Sequence, residues 1–262
     1  MFDCHIHTDF STDCSMNIEE VIKAAKDNNI GTIITEHLDL NFMQPGEFIF
    51  NIDEYFNKYI NYRNHKLLLG VEMGMRPDCI EENREISEKY NFDFILGSVH
   101  VVENNGLYYD IYGDDFYNGK NKKEVYKDYL KYMLQCVKEH DYIDSLSHID
   151  YICRYAPYND SNIYYEEYNE LIDEILKELI YREKAIEINT RRFDNKEAID
   201  ILKKIYKRFN ELGGKIVTLG SDSHRPENVG KHICLAKEFA KECGLKVVYF
   251  KERKPIVLDN KE

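Results

Sequence analysis

Short apolar runs alternate with longer amphipathic stretches along most of this chain, and that alternation restricts the possible folds more than any other feature. The strand-like runs lie at 2–5, 32–35, 67–71, 94–98, 143–146, 185–188 and 216–219, with a last one at 246–250. Helical stripes fall between them. Ile18, Val21, Ile22 and Ala25 share one face, behind an Asn17 and Glu20 pair that resembles a capping box. Residues 121–140 read as another helix. Leu171, Ile172, Ile175, Leu176, Leu179 and Ile180 make a further stripe, as do Ile201, Leu202, Ile205, Phe209 and Leu212, which Gly213 and Gly214 end. Parallel strands need a long crossover between them, so repeated strand-then-helix order predicts a mainly parallel α/β sheet. With only five prolines and no Ser/Gly-rich linker, the chain reads as one domain over 1–262, without an internal repeat. The segment 104–123, rich in Tyr, Gly and Asp, reads as a loop long enough to be a lid or substrate wall.

The carboxyl ends of parallel strands converge on one face, and that face carries the chemistry of such folds. Here those ends are rich in ligand-forming side chains. His5, His7 and Asp13 follow the first run, Glu36 and His37 end the second, Glu72 the third, His100 the fourth and His148 the fifth. The sixth runs into Asn189, Thr190, Arg191 and Arg192, and the seventh into Gly220-Ser221-Asp222-Ser223-His224. Of nine histidines, only His65, His140 and His232 lie elsewhere. Strand side chains alternate faces, so His5 and His7 point the same way and can share one metal ion. A lone histidine at a strand end reads as a hydrogen-bonded structural residue. Packing six of them with Glu72 and Asp222 would cost several kcal/mol unless something satisfied them, and a cluster of metal ions does so directly.

The formal net charge of −13 excludes a general grip on nucleic acid, which wants a basic face, and it requires local cations for any phosphate site. No apolar run is long enough to cross a membrane and no leader pattern opens the chain, so a cytoplasmic protein is expected. Seven scattered cysteines without a Cys-x-x-Cys pair fit reduced thiols better than disulfides or a cysteine zinc site.

The set Asp-x-His-x-His at 3–7, Thr-Glu-His at 35–37, Gly-Val-Glu at 70–72, Gly-Ser-Val-His at 97–100, Ser-His-Ile-Asp at 147–150 and Gly-Ser-Asp-Ser-His at 220–224 resembles the polymerase-and-histidinol-phosphatase (PHP) family. The resemblance runs from Phe2 to about Lys254 and is strongest to the histidinol-phosphate phosphatase branch. It implies a distorted TIM-like barrel of about seven parallel strands, with three divalent transition-metal ions, zinc, iron or manganese, at the carboxyl ends. By the same resemblance His5, His7, Glu72 and Asp222 would hold one ion. Glu72 would bridge to a second ion, held also by His100 and His148. His37 and His224 would hold the third, which Asp13 completes unless it is a loop cap, with Asp9 close by as a rival.

Other polar residues near these motifs are open to two readings. Glu36 either orients a ligand or substrate amine, or makes a solvent or helix-end contact. Asp3, taken to share a face with His5, is expected to hydrogen-bond within the site or barrel mouth. Asp150 either orients His148 or lies on the surface.

Clustered divalent ions lower the pKa of bound water toward about 7 and neutralise phosphoryl charge. A hydroxide bridging two ions at the Glu72 and Asp222 site could then attack phosphorus in line, with no side-chain nucleophile. Arg154 and Arg191 or Arg192 are the local cations suited to phosphate oxygens, Arg225 a weaker candidate, and Tyr155 a possible partner for an imidazole.

The resulting expectation is a phosphomonoester hydrolase converting L-histidinol phosphate to L-histidinol and phosphate in histidine biosynthesis. The alternatives are a PHP-family phosphatase acting on another small phosphomonoester or phosphotyrosine, and a nuclease. A non-catalytic metal-stabilised binding module would have lost ligands, and none is missing. An amidohydrolase-type site would use a strand-end lysine where Glu72 stands. The expected partner is a small phosphorylated substrate, with no nucleic acid and no membrane, and the oligomeric state is left open.

Overall fold

The computed structural model describes residues 1–258. Its strands are β1 (Phe2–Ile6), β2 (Gly31–Leu38), β3 (Leu67–Gly74), β4 (Phe94–Ser98), β5 (Val101–Asn104), β6 (Leu107–Asp110), β7 (Ser145–Leu146), β8 (Ala185–Asn189), β9 (Ile216–Gly220), β10 (Lys246–Lys251) and β11 (Lys254–Val257). The helices are α1 (Ile18–Asp27), α2 (Ile52–Tyr59), α3 (Ile80–Lys89), α4 (Lys122–Glu139), α5 (Tyr165–Tyr181), α6 (Lys196–Glu211) and α7 (Ile233–Glu242). Capping boxes start two of them: Asn17 with Glu20 for α1, and Asn121 with Glu124 for α4.

Parallel pairing runs in the order β1-β2-β3-β4-β7-β8-β9. The ring closes at its carboxyl end, where the Asp222 N–H donates to the His5 carbonyl at 2.8 Å and the His7 N–H to the Ser223 carbonyl at 3.0 Å. This is the distorted seven-stranded barrel that the motifs implied. At the amino end β10 takes the place beside β9, and its Tyr249 stacks on Phe2 of β1 with ring centroids 3.9 Å apart. The hairpin of β10 and β11 then crosses the barrel floor. Its turn reaches the far side, where Arg253 donates to Asp144 at 2.5 Å and its N–H to the Asp93 carbonyl at 2.9 Å.

Two apolar layers result. The barrel interior holds Phe2, Cys4, Ile33, Leu68, Phe94, Leu96 and Ala185, with Val248 and Phe250 of the floor hairpin packed beneath. A larger layer joins the outer strand faces to the helices. Apolar side chains therefore fill the lower barrel and polar ones are left for its upper end. Among the described residues no helix is long and apolar enough to cross a membrane.

Two local features differ from the sequence reading. The first part of 104–123 is not loop, because β5 and β6 form a hairpin through Asn105 and Gly106, both at positive φ. Asn-Gly is the residue pair that a two-residue hairpin turn favours. In β1, Asp3 pairs with Thr32 while Ile6 pairs with Ile34, so β1 spends one more residue than β2 over this stretch. Such a bulge re-aims the side chains beyond it. Phe2 and Cys4 face the barrel interior, yet His5 does too, while Asp3 turns outward. Strict alternation, which would put Asp3 and His5 on one face, fails here.

Candidate metal centre

The bulge in β1 brings His5 and His7 over the barrel axis, where Glu72 rises from β3. Glu72 Oε2 lies 3.2 Å from His5 Nε2, 3.4 Å from His7 Nε2 and 2.9 Å from His37 Nδ1. Its Oε1 lies 3.1 Å from His100 Nε2 and 3.0 Å from His148 Nε2. Asp222, in the left-handed region at φ +55°, turns Oδ1 to within 3.6 Å of His5 Nε2 and 3.5 Å of His7 Nε2. Asp13 Oδ2 stands 3.1 Å from His224 Nε2 and 3.6 Å from His37 Nε2. All nine expected ligand residues thus converge, with Asp13 and not Asp9 in contact with the histidines. Asp9 instead pairs with Lys58 and Tyr59.

The donor set fits metal ions. His5 Nε2, His7 Nε2, His37 Nδ1, His100 Nε2 and Glu72 Oε2 are buried and make no hydrogen bond. Buried polar atoms left so are costly. With bonds of about 2.1 Å, a tetrahedral ion separates its ligand atoms by about 3.4 Å. The distances of His5 and His7 from Glu72 and Asp222, 3.2 to 3.6 Å, match that edge.

Electrostatics favour the ligand forms of the carboxylates and divide the histidines. Burial works against charge on Glu72, yet His5, His100 and His37 hold its carboxyl well below the usual carboxylate range. Burial likewise opposes charge on Asp222, which His5 and Arg154 outweigh. Burial, then His224 and His37, push His7 far below an ordinary imidazole, and burial pushes His148 down. Burial also opposes charge on His5, His100 and His37, yet the carboxylates beside them hold all three well above an ordinary imidazole, so a divalent ion, which requires ionised carboxylates and neutral imidazoles, would displace their protons.

Outer partners hold these groups, and the sequence reading passed over most of them. Glu187 of β8 accepts from His5 Nδ1 at 2.7 Å and from the His148 N–H at 2.9 Å. Asp39 meets His100 Nδ1 at 3.0 Å. Ser98 donates to Glu72 at 2.7 Å. A side chain at Gly220 would collide with Glu187 and His5, and one at Gly74 with Asp39, so both close approaches require glycine. Signals for the two carboxylates existed. Glu187 interrupts the apolar run of β8 at the parity of Asn189, and Asp39 follows His37 by two, just past the end of β2. Asp3 binds no ligand residue's ring. It accepts from the Ser221 and Gly230 N–H groups, both at 2.8 Å, and so secures the segment that carries Asp222.

The centre opens into a cavity of about 480 Å³. Arg154, Arg191 and Arg225 line it, as do Asp110, Tyr112 and Tyr155. Arg154 donates to Asp222 Oδ2 at 2.5 Å and to Asn189 at 2.8 Å. Arg191 donates to the Asp222 carbonyl at 2.7 Å. Arg192 turns away, bonded to Asp150 at 3.0 Å and Asn162 at 2.5 Å, and does not line the cavity. Asp150 is therefore a buried partner of Arg192, neither a guide for His148 nor a surface residue. Glu36 is fully buried, and its oxygens are taken by Thr8 and Ser11, so it cannot meet a substrate amine. Asp13, Asp39, Asp110 and Asp222 line the cavity; the first two and Asp222 pair with histidines, which leaves Asp110 of the β5–β6 hairpin.

The PHP domain pattern matches residues 3–191. A Clostridium acetobutylicum protein named probable histidinol-phosphatase is 53% identical over 97% of this chain and 98% of its own length. A Lactococcus lactis histidinol-phosphatase is 34% identical over 92% of this chain and 91% of its length. A crystal structure of histidinol phosphate phosphatase from Lactococcus lactis, complexed with zinc, L-histidinol and phosphate, superposes with a TM-score of 0.89 at 32% identity, covering 97% of this chain and 98% of that one.

Proposed function

This chain belongs to the PHP domain family, and on that premise we propose that it hydrolyses L-histidinol phosphate to L-histidinol and phosphate. The observation that carries the reading is the joining of a nine-residue ligand cluster to one cavity lined by three arginines, Asp110 and tyrosines. That lining suits a molecule with a phosphate and a cationic, aromatic body. The zinc, L-histidinol and phosphate of the Lactococcus lactis complex support it.

The ligands would fall into three sets: His5, His7, Glu72 and Asp222; Glu72, His100 and His148; Asp13, His37 and His224. The reading is three ions, of zinc, iron or manganese. Bound there, they would supply a hydroxide nucleophile at neutral pH and offset phosphoryl charge. The chain's own groups do the rest. Arg154 and Arg191 grip phosphate oxygens, Arg225 adds a third positive charge to the same cavity, and Asp110 receives the substrate's positive charge. Tyr112 and Tyr155 meet edge to face at 5.0 Å and form an apolar wall against the imidazole. The chain acts as one catalytic unit in the cytoplasm, where such a biosynthetic substrate is made.

The test is phosphate release across a panel of phosphomonoesters, with metal content measured on the same sample. Turnover of histidinol phosphate ahead of the others is expected. A protein that holds metal but prefers phosphotyrosine, a sugar phosphate or single-stranded DNA would overturn the substrate and leave the centre standing.

A further inference from the structure

Glu36 is a fully buried carboxylate with no place among the ligands. We propose that it acts through Ser11 to fix which ring nitrogen of His7 carries the hydrogen, and so prepares His7 to bind metal. The proposal rests on the reading of His7 as a ligand and adds the two residues that ready it.

Counting hydrogens leads there. Ser11 Oγ lies 2.6 Å from Glu36 Oε2, 3.1 Å from His7 Nδ1 and 3.1 Å from the backbone nitrogen of His37. A hydroxyl has one hydrogen to donate and two lone pairs. The His37 N–H occupies one lone pair. Glu36 Oε2 also accepts the Thr8 N–H at 3.0 Å, and as a carboxylate oxygen it takes the Ser11 hydrogen beside it. The Ser11 hydrogen therefore goes to Glu36, and the second lone pair of Ser11 is left for His7, whose Nδ1 must bring the hydrogen. That tautomer leaves a bare lone pair on Nε2, the atom 3.4 Å from Glu72 Oε2 and 3.5 Å from Asp222 Oδ1.

An amide at position 36 reverses the relay. Its carbonyl would accept from Thr8 and its NH2 would donate to Ser11. The Ser11 hydrogen would then turn to His7 Nδ1, moving the ring hydrogen to Nε2, where it blocks metal. Glu36 and Ser11 are positioning residues in this scheme.

The experiment compares the parent with Glu36→Gln, Ser11→Ala and Tyr59→Phe. The Tyr59 hydroxyl contacts Thr8 and Asp9 in the same network but not Ser11. Each protein is loaded with zinc and titrated with a chelator. Glu36→Gln and Ser11→Ala should release zinc at roughly 10- to 100-fold lower chelator concentration, and Tyr59→Phe should match the parent. Reloaded with cobalt(II), the first two should show an altered visible spectrum as one nitrogen leaves the metal, a change that loosened packing alone would not give. Ser11→Thr, which keeps the hydroxyl, should hold zinc like the parent. If the parent binds zinc and Glu36→Gln and Ser11→Ala hold it as tightly with the same cobalt spectrum, the relay is overturned and the centre stands. A parent that takes up no zinc overturns the ligand reading and the relay together.

Discussion

Glu72 gathers more of the centre than any other side chain, since its two oxygens face five histidines. On the proposed ligand sets this one carboxylate would help to hold two ions. Glu72→Gln should therefore lose most bound metal and nearly all phosphate release, read by elemental analysis and turnover on one sample. Half the parent's turnover with full metal would remove Glu72 from the bridging role. The arginines divide differently. Arg154 bonds the Asp222 carboxylate, whereas Arg191 touches only its backbone carbonyl. Arg191→Ala should raise KM or lower kcat about tenfold, near 1.4 kcal/mol, with metal content unchanged. Arg154→Ala should lose at least as much activity and some metal as well. Equal metal content in both would show that the Arg154 contact does not hold Asp222. The convergence of these nine residues was legible because His, Asp and Glu at strand ends have few structural reasons to recur. Glu187, Asp39 and Ser11 were less so, because what they hold depends on which loops the fold brings beside them.

Among the elements, the floor hairpin is the one whose role is structural and separable. Phe250 packs on Phe94 with centroids 5.3 Å apart, inside the lower barrel and away from the ligands. Phe250→Ala should cost about 3 kcal/mol of stability by urea unfolding, with metal stoichiometry kept in the folded protein. A loss of metal without a loss of stability would mean that the floor and the centre are coupled. Most barrel strands were readable as apolar runs, since strands buried on both faces leave near-continuous hydrophobic stretches. The short β11, Lys254–Val257, escaped because its residues are exposed and carry no such pattern. The bulge in β1 escaped for another reason. It exists only as a mismatch of count between two paired strands, and neither strand shows it alone. The β5–β6 hairpin did carry a signal in Asn105 and Gly106, hidden by the polar, tyrosine-rich run around it.

At the scale of the whole molecule, a body of formal charge −13 gathers Arg154, Arg191 and Arg225 around one cavity. Polyanions meet repulsion before they reach that cavity, while a small zwitterion does not. Histidinol phosphate should be preferred over phosphotyrosine and simple sugar phosphates by at least about tenfold in kcat/KM, a margin of roughly 1.4 kcal/mol. Comparable rates on phosphotyrosine would mean that the Asp110 wall does not select. The closure of the barrel also sets an order of events. Ser221 and Asp3 are joined by a hydrogen bond across 218 residues of chain. His5 and His7 thus leave the ribosome early and meet Asp222 only after β9 has followed. Until then the growing chain offers scattered histidines and no cage. On the proposed ligand sets, metal capture would follow the synthesis of β9, and the ion would be chosen from the supply around a nearly complete fold.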